Sequence, residues 1–170
     1  MIHGYKGVRF MALLQELTEY RKLVMKTLCS DAEIVRLVSD SPEASVPNRE
    51  LMYTRIFPYA YTPDTTKETS TFICFRLSVP EVYNKTYKKM SLTFYIFTHQ
   101  SLIRTHDGLR PDLIGVALER LFNGSLDVGL GRMQLEGMDD ISPAAGYHGV
   151  AIEYTVLEYN RPSIHGDKGR

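Results

Sequence analysis

The stretch Thr71–Thr98, TFICFRLSVPEVYNKTYKKMSLTFYIFT, alternates on both sides of a charged bend. Thr71, Ile73, Phe75, Leu77 and Val79 share one face, and Phe72, Cys74, Arg76 and Ser78 share the other. After the bend, Met90, Leu92, Phe94 and Ile96 alternate with Lys89, Ser91, Thr93, Tyr95 and Phe97. A sustained period of two is the pattern of strands with one buried face. It predicts a long antiparallel pair, Thr71–Pro80 and Lys88–Gln100. The connection Glu81–Tyr87 is too long and too charged for a two-residue turn, which predicts a projecting or mobile tip. The second face is only half polar, with Phe72, Cys74, Tyr95 and Phe97 on it, so something besides water is expected to cover it.

Working outward, Phe10, Leu13, Leu14, Leu17, Val24, Met25 and Leu28 recur at three- and four-residue steps, predicting a helix from Val8 to Leu28. Ser30 followed by Glu33 reads as a capping box for a short helix over Asp31–Val38. Ser39–Glu50 is turn-rich, with Pro42 and Pro47. Leu51–Tyr61 reads as a strand or extended edge piece, because Pro58 cannot donate to a central ladder. Tyr61–Ser70 reads as a polar loop. Pro111 suits the first turn of a helix over Arg110–Phe122, with Leu113, Ile114, Ala117, Leu118 and Leu121 inward and Asn123–Gly124 as its stop. Gly129–Glu136 is expected as a short strand with Met133 and Leu135 inward. His148–Tyr159 is expected as the last, with Val150, Ile152, Tyr154 and Val156 inward. This order predicts an α+β fold: a mostly antiparallel, or mixed, sheet with a long hairpin, packed on one face by two to three helices. Residues 1–160 form one domain in this reading. Residues 161–170, whose only apolar anchor is Ile164, are expected as a loose tail.

The chain has 170 residues, 44% of them hydrophobic, enough for one domain with a core. Twenty basic and twenty acidic residues cancel, which argues against a nucleic-acid-binding adaptor with a concentrated basic surface. Cys29 and Cys74 make no disulfide framework and are expected as buried thiols in a reducing cytosol. No apolar run approaches the roughly 18 residues of a membrane span, and the N-terminal residues do not resemble a signal peptide.

Residues with chemical potential are dispersed. His99, His106 and Asp107 lie between a strand end and a helix start, where a small hydrolase would place a site, but their spacing matches no helical metal pair. His3 and His165 fall in terminal segments, and His148 at a strand start. Asp139–Asp140 reads as a polar bend, because adjacent carboxylates in an irregular segment set no separation for acid–base work. Gly124, Gly129 and Gly131 are followed by no Lys-Ser or Lys-Thr, so they do not form a phosphate loop. No nucleophile elbow, Cys-x-x-Cys or zinc spacing occurs. No catalytic, metal or cofactor-binding residue is therefore assigned, and the chain reads as non-enzymatic. Tyrosines, by contrast, are plentiful: Tyr53, Tyr59 and Tyr61 with Phe57 before the polar loop, Tyr83 and Tyr87 at the bend, and Tyr147, Tyr154 and Tyr159 near the end. Tyrosine buries apolar area while keeping a polar handle, as subunit interfaces favour.

A strand "MSLTFYIFTHQSLI" passes through the polar turn "RTHDGLRPD" into the helix "LIGVALERLFNG", followed by "GLGRMQLEGMDDIS" and the closing "YHGVAIEYTVLEYN". In order and character this resembles the small neck and tail-completion proteins of tailed bacteriophages, most of all the tail terminators, over about residues 8–160. The resemblance implies a structural ring subunit, commonly a hexamer. Such a ring ends the tail tube, meets the head connector or head-closure protein, and lets DNA pass without sequence-specific binding. It implies assembly in the host cytoplasm, a place in the virion neck, no cofactor and no membrane. A head-closure protein or another neck adaptor is the neighbouring reading. By analogy, contacts fall on the charged tip (Tyr83, Lys85, Tyr87, Lys88, Lys89), the second sheet face (Phe72, Tyr95, Phe97) and the turn after the hairpin (Arg104, His106, Asp107).

Overall fold

The structure, a computed structural model, describes residues 13–41 and 43–160, with side chains from Glu16 onward. The expected helix start at Val8, the inward Phe10, Pro42 and the expected loose tail lie outside the described residues, and the side chains of Leu13 and Leu14 are not described. Among the described residues three α-helices, α1 (Leu13–Ser30), α2 (Ala32–Ser39) and α3 (Arg110–Phe122), accompany five strands. The strands are β1 (Ile56–Phe57), β2 (Thr71–Val82), β3 (Tyr87–His99), β4 (Gln134–Ala144) and β5 (Tyr147–Tyr159). Their order across the sheet is β1-β2-β3-β5-β4, with β1 parallel to β2 and every other pair antiparallel. The fold is thus α+β with a mixed, mostly antiparallel sheet, as the alternation and the helix periods predict.

Pairing of β2 with β3 matches Ile73 to Ile96, Phe75 to Phe94 and Leu77 to Leu92, all turned to the helices. On β5, Val150, Ile152, Tyr154 and Val156 join the same core, against Leu28, Ile34, Val35, Ile114, Leu118 and Phe122. Each large side chain removed from water here is worth about 1.5–3 kcal/mol, so this single layer dominates stability.

The helices are fixed by charge as well as by apolar contact. Asp31, rather than Ser30, caps α2, its Oδ1 accepting from the Glu33 and Ile34 amides at 3.1 and 3.0 Å. Serine is displaced because α1 continues through Ser30, and because the carboxylate also takes Arg120 of α3 at 2.8 Å while its charge suits a helix N-terminus. Arg110, largely buried at the start of α3, donates to the Leu102 and Leu37 carbonyls at 2.9 and 2.8 Å and pairs with Asp40 at 2.6 Å.

Three expectations are corrected. Leu51–Tyr61 is not a continuous strand: a turn, with the Tyr53 amide donating to the Ile56 carbonyl and Tyr53 at φ +60°, leaves only Ile56–Phe57 paired with β2, and Pro58 ends the strand. The strand expected at Gly129–Glu136 instead begins at Gln134 and continues to Ala144, with Asp139 and Asp140 inside it. Met133 is buried as expected, but Leu135 is 45% exposed. At the tip, β2 continues to Val82 and β3 begins at Tyr87, and a register shift between Ser78 and Glu81 absorbs Pro80. The loop is tied down by Asn84, which accepts from the Thr86 and Tyr87 amides, and by Asn160, whose amide donates to Thr86.

At Gly149 on β5 the sheet admits no side chain: a Cβ there would stand 1.8 Å from the Ile96 carbonyl oxygen and 2.7 Å from Phe97 Cα. Because both contacts are backbone of the central strand, Gly149→Ala is expected to lose about 3 kcal/mol or more of stability in urea unfolding. Gly137→Ala on β4, where nothing lies within 4 Å, is expected to stay within about 0.5 kcal/mol.

Candidate assembly interface

The second sheet face divides into a closed part and an open part. Phe72, Cys74, Phe97 and Tyr147 form a small buried cluster with Phe57, against which Tyr61, Tyr95, Ile141 and Ala144 pack. Phe57 and Tyr61 stack at 4.2 Å between ring centres, and Tyr61 and Phe72 lie 5.2 Å apart. The loop carrying them is held down by the Tyr61 hydroxyl on Glu68 and by the Tyr147 hydroxyl on the Glu68 carbonyl at 2.7 Å. Phe72 and Phe97, expected as contact residues, are therefore corrected: the chain's own aromatic segment, not a neighbour and not the helices, covers them. Tyr95 is half-buried and lines an apolar groove of about 260 Å³ with Tyr61, Cys74, Ile141 and Pro143.

Lys88 is a second correction. Its side chain is 1% exposed, and the ammonium donates to the Tyr159 carbonyl at 2.6 Å and lies 3.6 Å from Glu16 on α1. Burial of an ammonium is compensated only by such partners, so Lys88 ties α1 to the sheet. Lys89 points to the other face and pairs with Glu136 at 3.3 Å. The Thr155 hydroxyl, and then Lys89, hold the Glu136 carboxyl below the usual carboxylate range.

Tyr83, Lys85 and Tyr87 are exposed at the tip. Val82 (58%), Tyr83 (50%) and Leu157 (42%) leave large apolar area in water there, with Leu130 on the neighbouring segment. The Leu130 amide donates to the Leu157 carbonyl at 2.9 Å, and Tyr87 stacks on Tyr159 at 5.6 Å. Tyr83 and Leu157 border an open groove of about 440 Å³ whose charged margin is Lys89, Arg132 and Glu136.

Arg104, His106 and Asp107 are exposed on a tight turn, closed by a bridge between Arg104 and Leu109 and by Thr105, whose amide and hydroxyl both bond to the Gly108 carbonyl. The His106 ring meets the Asp107 carboxylate at 3.0 Å. His99 is engaged separately, by Ser101 at 2.8 Å and by the Tyr147 ring at 5.3 Å. Among the described residues no group of three or more His, Cys, Asp or Glu is arranged to hold a metal ion, and no helix is long and apolar enough to cross a membrane.

Sequence reasoning missed β4 as a surface. It is an edge strand, exposed along nearly its whole length, with Glu136, Asp139 and Asp140 and no cationic residue. A strand wet on both faces has no apolar alternation to reveal it; only its length without a helical period was available as a signal.

Fold and surface together define a small α+β protein with helices on one sheet face and, among the described residues, open grooves, exposed tyrosine and an unpaired strand edge elsewhere. The chain belongs to the YomW family, whose model matches residues 31–156, from the cap of α2 into β5. YomW is a phage-type, SPbeta-like name and marks the chain as phage-related. No curated protein matches it.

Two titrations follow from these surroundings. Asp107, by hydrogen bond and then by charge, raises the His106 pKa above the ordinary imidazole value. The folded value thus exceeds the unfolded one, so the pair's attraction is fully present below the unfolded pKa and is lost as pH rises through the folded one. An NMR titration is expected to show His106 above its free value, and Asp107→Asn to return it there. Burial pushes the Cys29 and Cys74 thiols up to about 11, so a disulfide reagent at pH 8 is expected to find almost no reactive thiol until denaturant exposes both.

Proposed function

We propose that the chain is a non-enzymatic structural subunit of a phage head–tail junction, a tail terminator that forms a ring, hexameric by the family resemblance. It closes the tail tube and joins it to the head connector, so that it resides in the virion neck. The observation that carries the reading is the apolar area left in water at the hairpin tip. Tyr83 and Leu157 are exposed there on the groove that Lys89, Arg132 and Glu136 border, with Tyr87 exposed nearby. Exposed apolar side chains beside a charged rim suit docking to another protein surface, and tyrosine is enriched at such contacts. Phage-relatedness and the expected element order support it further.

Light scattering at high protein concentration, with and without tail tubes, is the test. A mass of several copies is expected, together with protein density at the tube end in electron micrographs. The double variant Tyr83→Asp/Leu157→Asp is expected to weaken assembly by about tenfold or more while its circular dichroism stays unchanged. A single-copy mass that persists with tubes and connector present would overturn the reading. Binding to the connector alone, with tube ends left bare, would replace the terminator by a head-closure adaptor.

A further inference from the structure

The strands are not covered equally on the helix side of the sheet. Leu135, Met138 and Asp140 of β4 stand opposite Tyr154, Ile152 and Val150, all of which belong to the core beneath the helices. The register shift between Leu135 and Gly137 keeps Leu135 and Met138 on that one face although they are three residues apart. Yet they are 45% and 50% exposed, and Asp140 is exposed as well. Among the described residues the helical layer therefore stops short of β4.

The other wall of this notch is α3. Gly115 lies over β5, where a Cβ would stand 3.1 Å from Ile152 Cδ1, and the Asn123 side chain accepts from the Leu135 amide at 3.4 Å. Arg120 turns the opposite way, to Asp31 at the α2 cap. Helical spacing then puts Asp112, Val116 and Glu119 on the flank above β4. Val116 is 62% exposed. Asp112, Glu119 and Asp140 make no ion pair among the described residues, so the notch is apolar with an unbalanced acidic rim.

The opposite edge of the sheet has the complementary character. Beside β1, α1 and the turn before the strand enclose a groove of about 380 Å³, with Met25, Met52 and Pro58 in its lining and Arg21 and Lys22 on its margin. Tyr53 stands there 61% exposed, on the left-handed turn. The Arg21 Nε has no hydrogen-bond partner among the described residues. Lys22 meets Glu19 at 2.9 Å with both side chains largely in water, a contact that contributes little. Like edges of two copies would repel, whereas unlike edges attract. A contact between two different edges is heterologous, the kind that closes rings.

We propose that the notch between α3 and β4 takes up the Tyr53 corner of a neighbouring copy, with Arg21 and Lys22 lying against Asp112, Glu119 and Asp140. The inference rests on the ring reading above and supplies its subunit-to-subunit contact. Val116, Leu135 and Met138 give the neighbour's Tyr53 an apolar seat, and the charges set which edge is accepted.

The test uses two full-length variants altered at exposed side chains. Lys22→Glu/Tyr53→Asp changes the basic edge, aspartate being tolerated in left-handed backbone; Leu135→Asp/Met138→Asp changes the acidic one. By light scattering, alone or on tail tubes, each is expected to associate about tenfold more weakly than the unaltered chain, with unchanged circular dichroism. Mixed in equal amounts they keep one intact edge each, so pairs containing one of each are expected and nothing larger. Carbodiimide treatment of mixed unlabelled and heavy-nitrogen-labelled unaltered chain is expected to join Lys22 to Asp112, Glu119 or Asp140 across labels. Either variant assembling like the unaltered chain, or a mixture that stays single-copy or regains the full mass, would overturn the inference and leave the ring reading standing. Where a variant loses its circular dichroism the cross-links decide, and their absence from an assembled sample would overturn it equally. A single-copy mass of the unaltered chain with tubes present would remove both readings.

Discussion

The thirteen residues of β3 are paired along both sides, with β2 on one and β5 on the other, and the remaining layers depend on that double pairing. Once the register is set, alternation leaves no choice about which side chains meet the helices. Met90, Leu92, Phe94 and Ile96 go to one side, and a slip of one residue would turn all four away from it. The register is held where it is least forgiving, by bare backbone contact between Gly149 and the Ile96–Phe97 segment. Phe94 then provides the floor for Phe75, Phe122 and Tyr154, with ring centres between 5.0 and 6.2 Å away.

Two cations within the protein hold the helical layer to this sheet in a way that apolar contact alone does not. Lys88 and Arg110 sit near opposite ends of the β3–α3 unit, and each spends its hydrogen bonds on backbone carbonyls before it meets a carboxylate. A buried charge that loses its partners costs about 3–5 kcal/mol, so each makes one helix position much more favourable than its alternatives. Lys88 links β3 to α1 and to the end of β5; Arg110 links the start of α3 to the end of α2. Asp31, shared between the α2 amides and Arg120, completes the linkage among the three helices.

What could be read in advance follows from how local its cause is. The bounds of α3 were legible in full, because Pro111 starts it and Asn123–Gly124 stops it within the same few residues. The inward faces of β2, β3 and β5 were legible because every second residue over Ile73–Leu77, Met90–Ile96 and Val150–Val156 is apolar without a break. The cover of the second face was not: Phe72 and Phe97 need Phe57, Tyr61 and Tyr147 to close over them, and nothing in a period of two says which distant aromatics arrive. Lys88 was misread for the same reason, since a lysine next to a charged bend looks solvated until Glu16 and the Tyr159 carbonyl are brought to it. Of the expected contact residues, Tyr83, Lys85, Tyr87, Arg104, His106 and Asp107 do lie at the surface. Their reactivity toward a partner is a property of two molecules, which one sequence does not encode in any periodic form.

The tie between Asn160 and the hairpin loop gives the molecule a usable polarity. The Asn160 amide and side chain bond to Thr86 and Asn84, so the backbone leaves the sheet beside the loop of residues 83–86. The turn of residues 105–108 is tethered at the other end, through the Leu102 amide on the His99 carbonyl. Twelve strand steps from Tyr87 to His99 separate these two ends by about 40 Å. A fluorophore or gold label attached at Lys85 would therefore mark one pole of the subunit, and one placed on Asp107 the opposite pole. Seen in a particle with a long axis, the two labels would tell directly which pole faces along it.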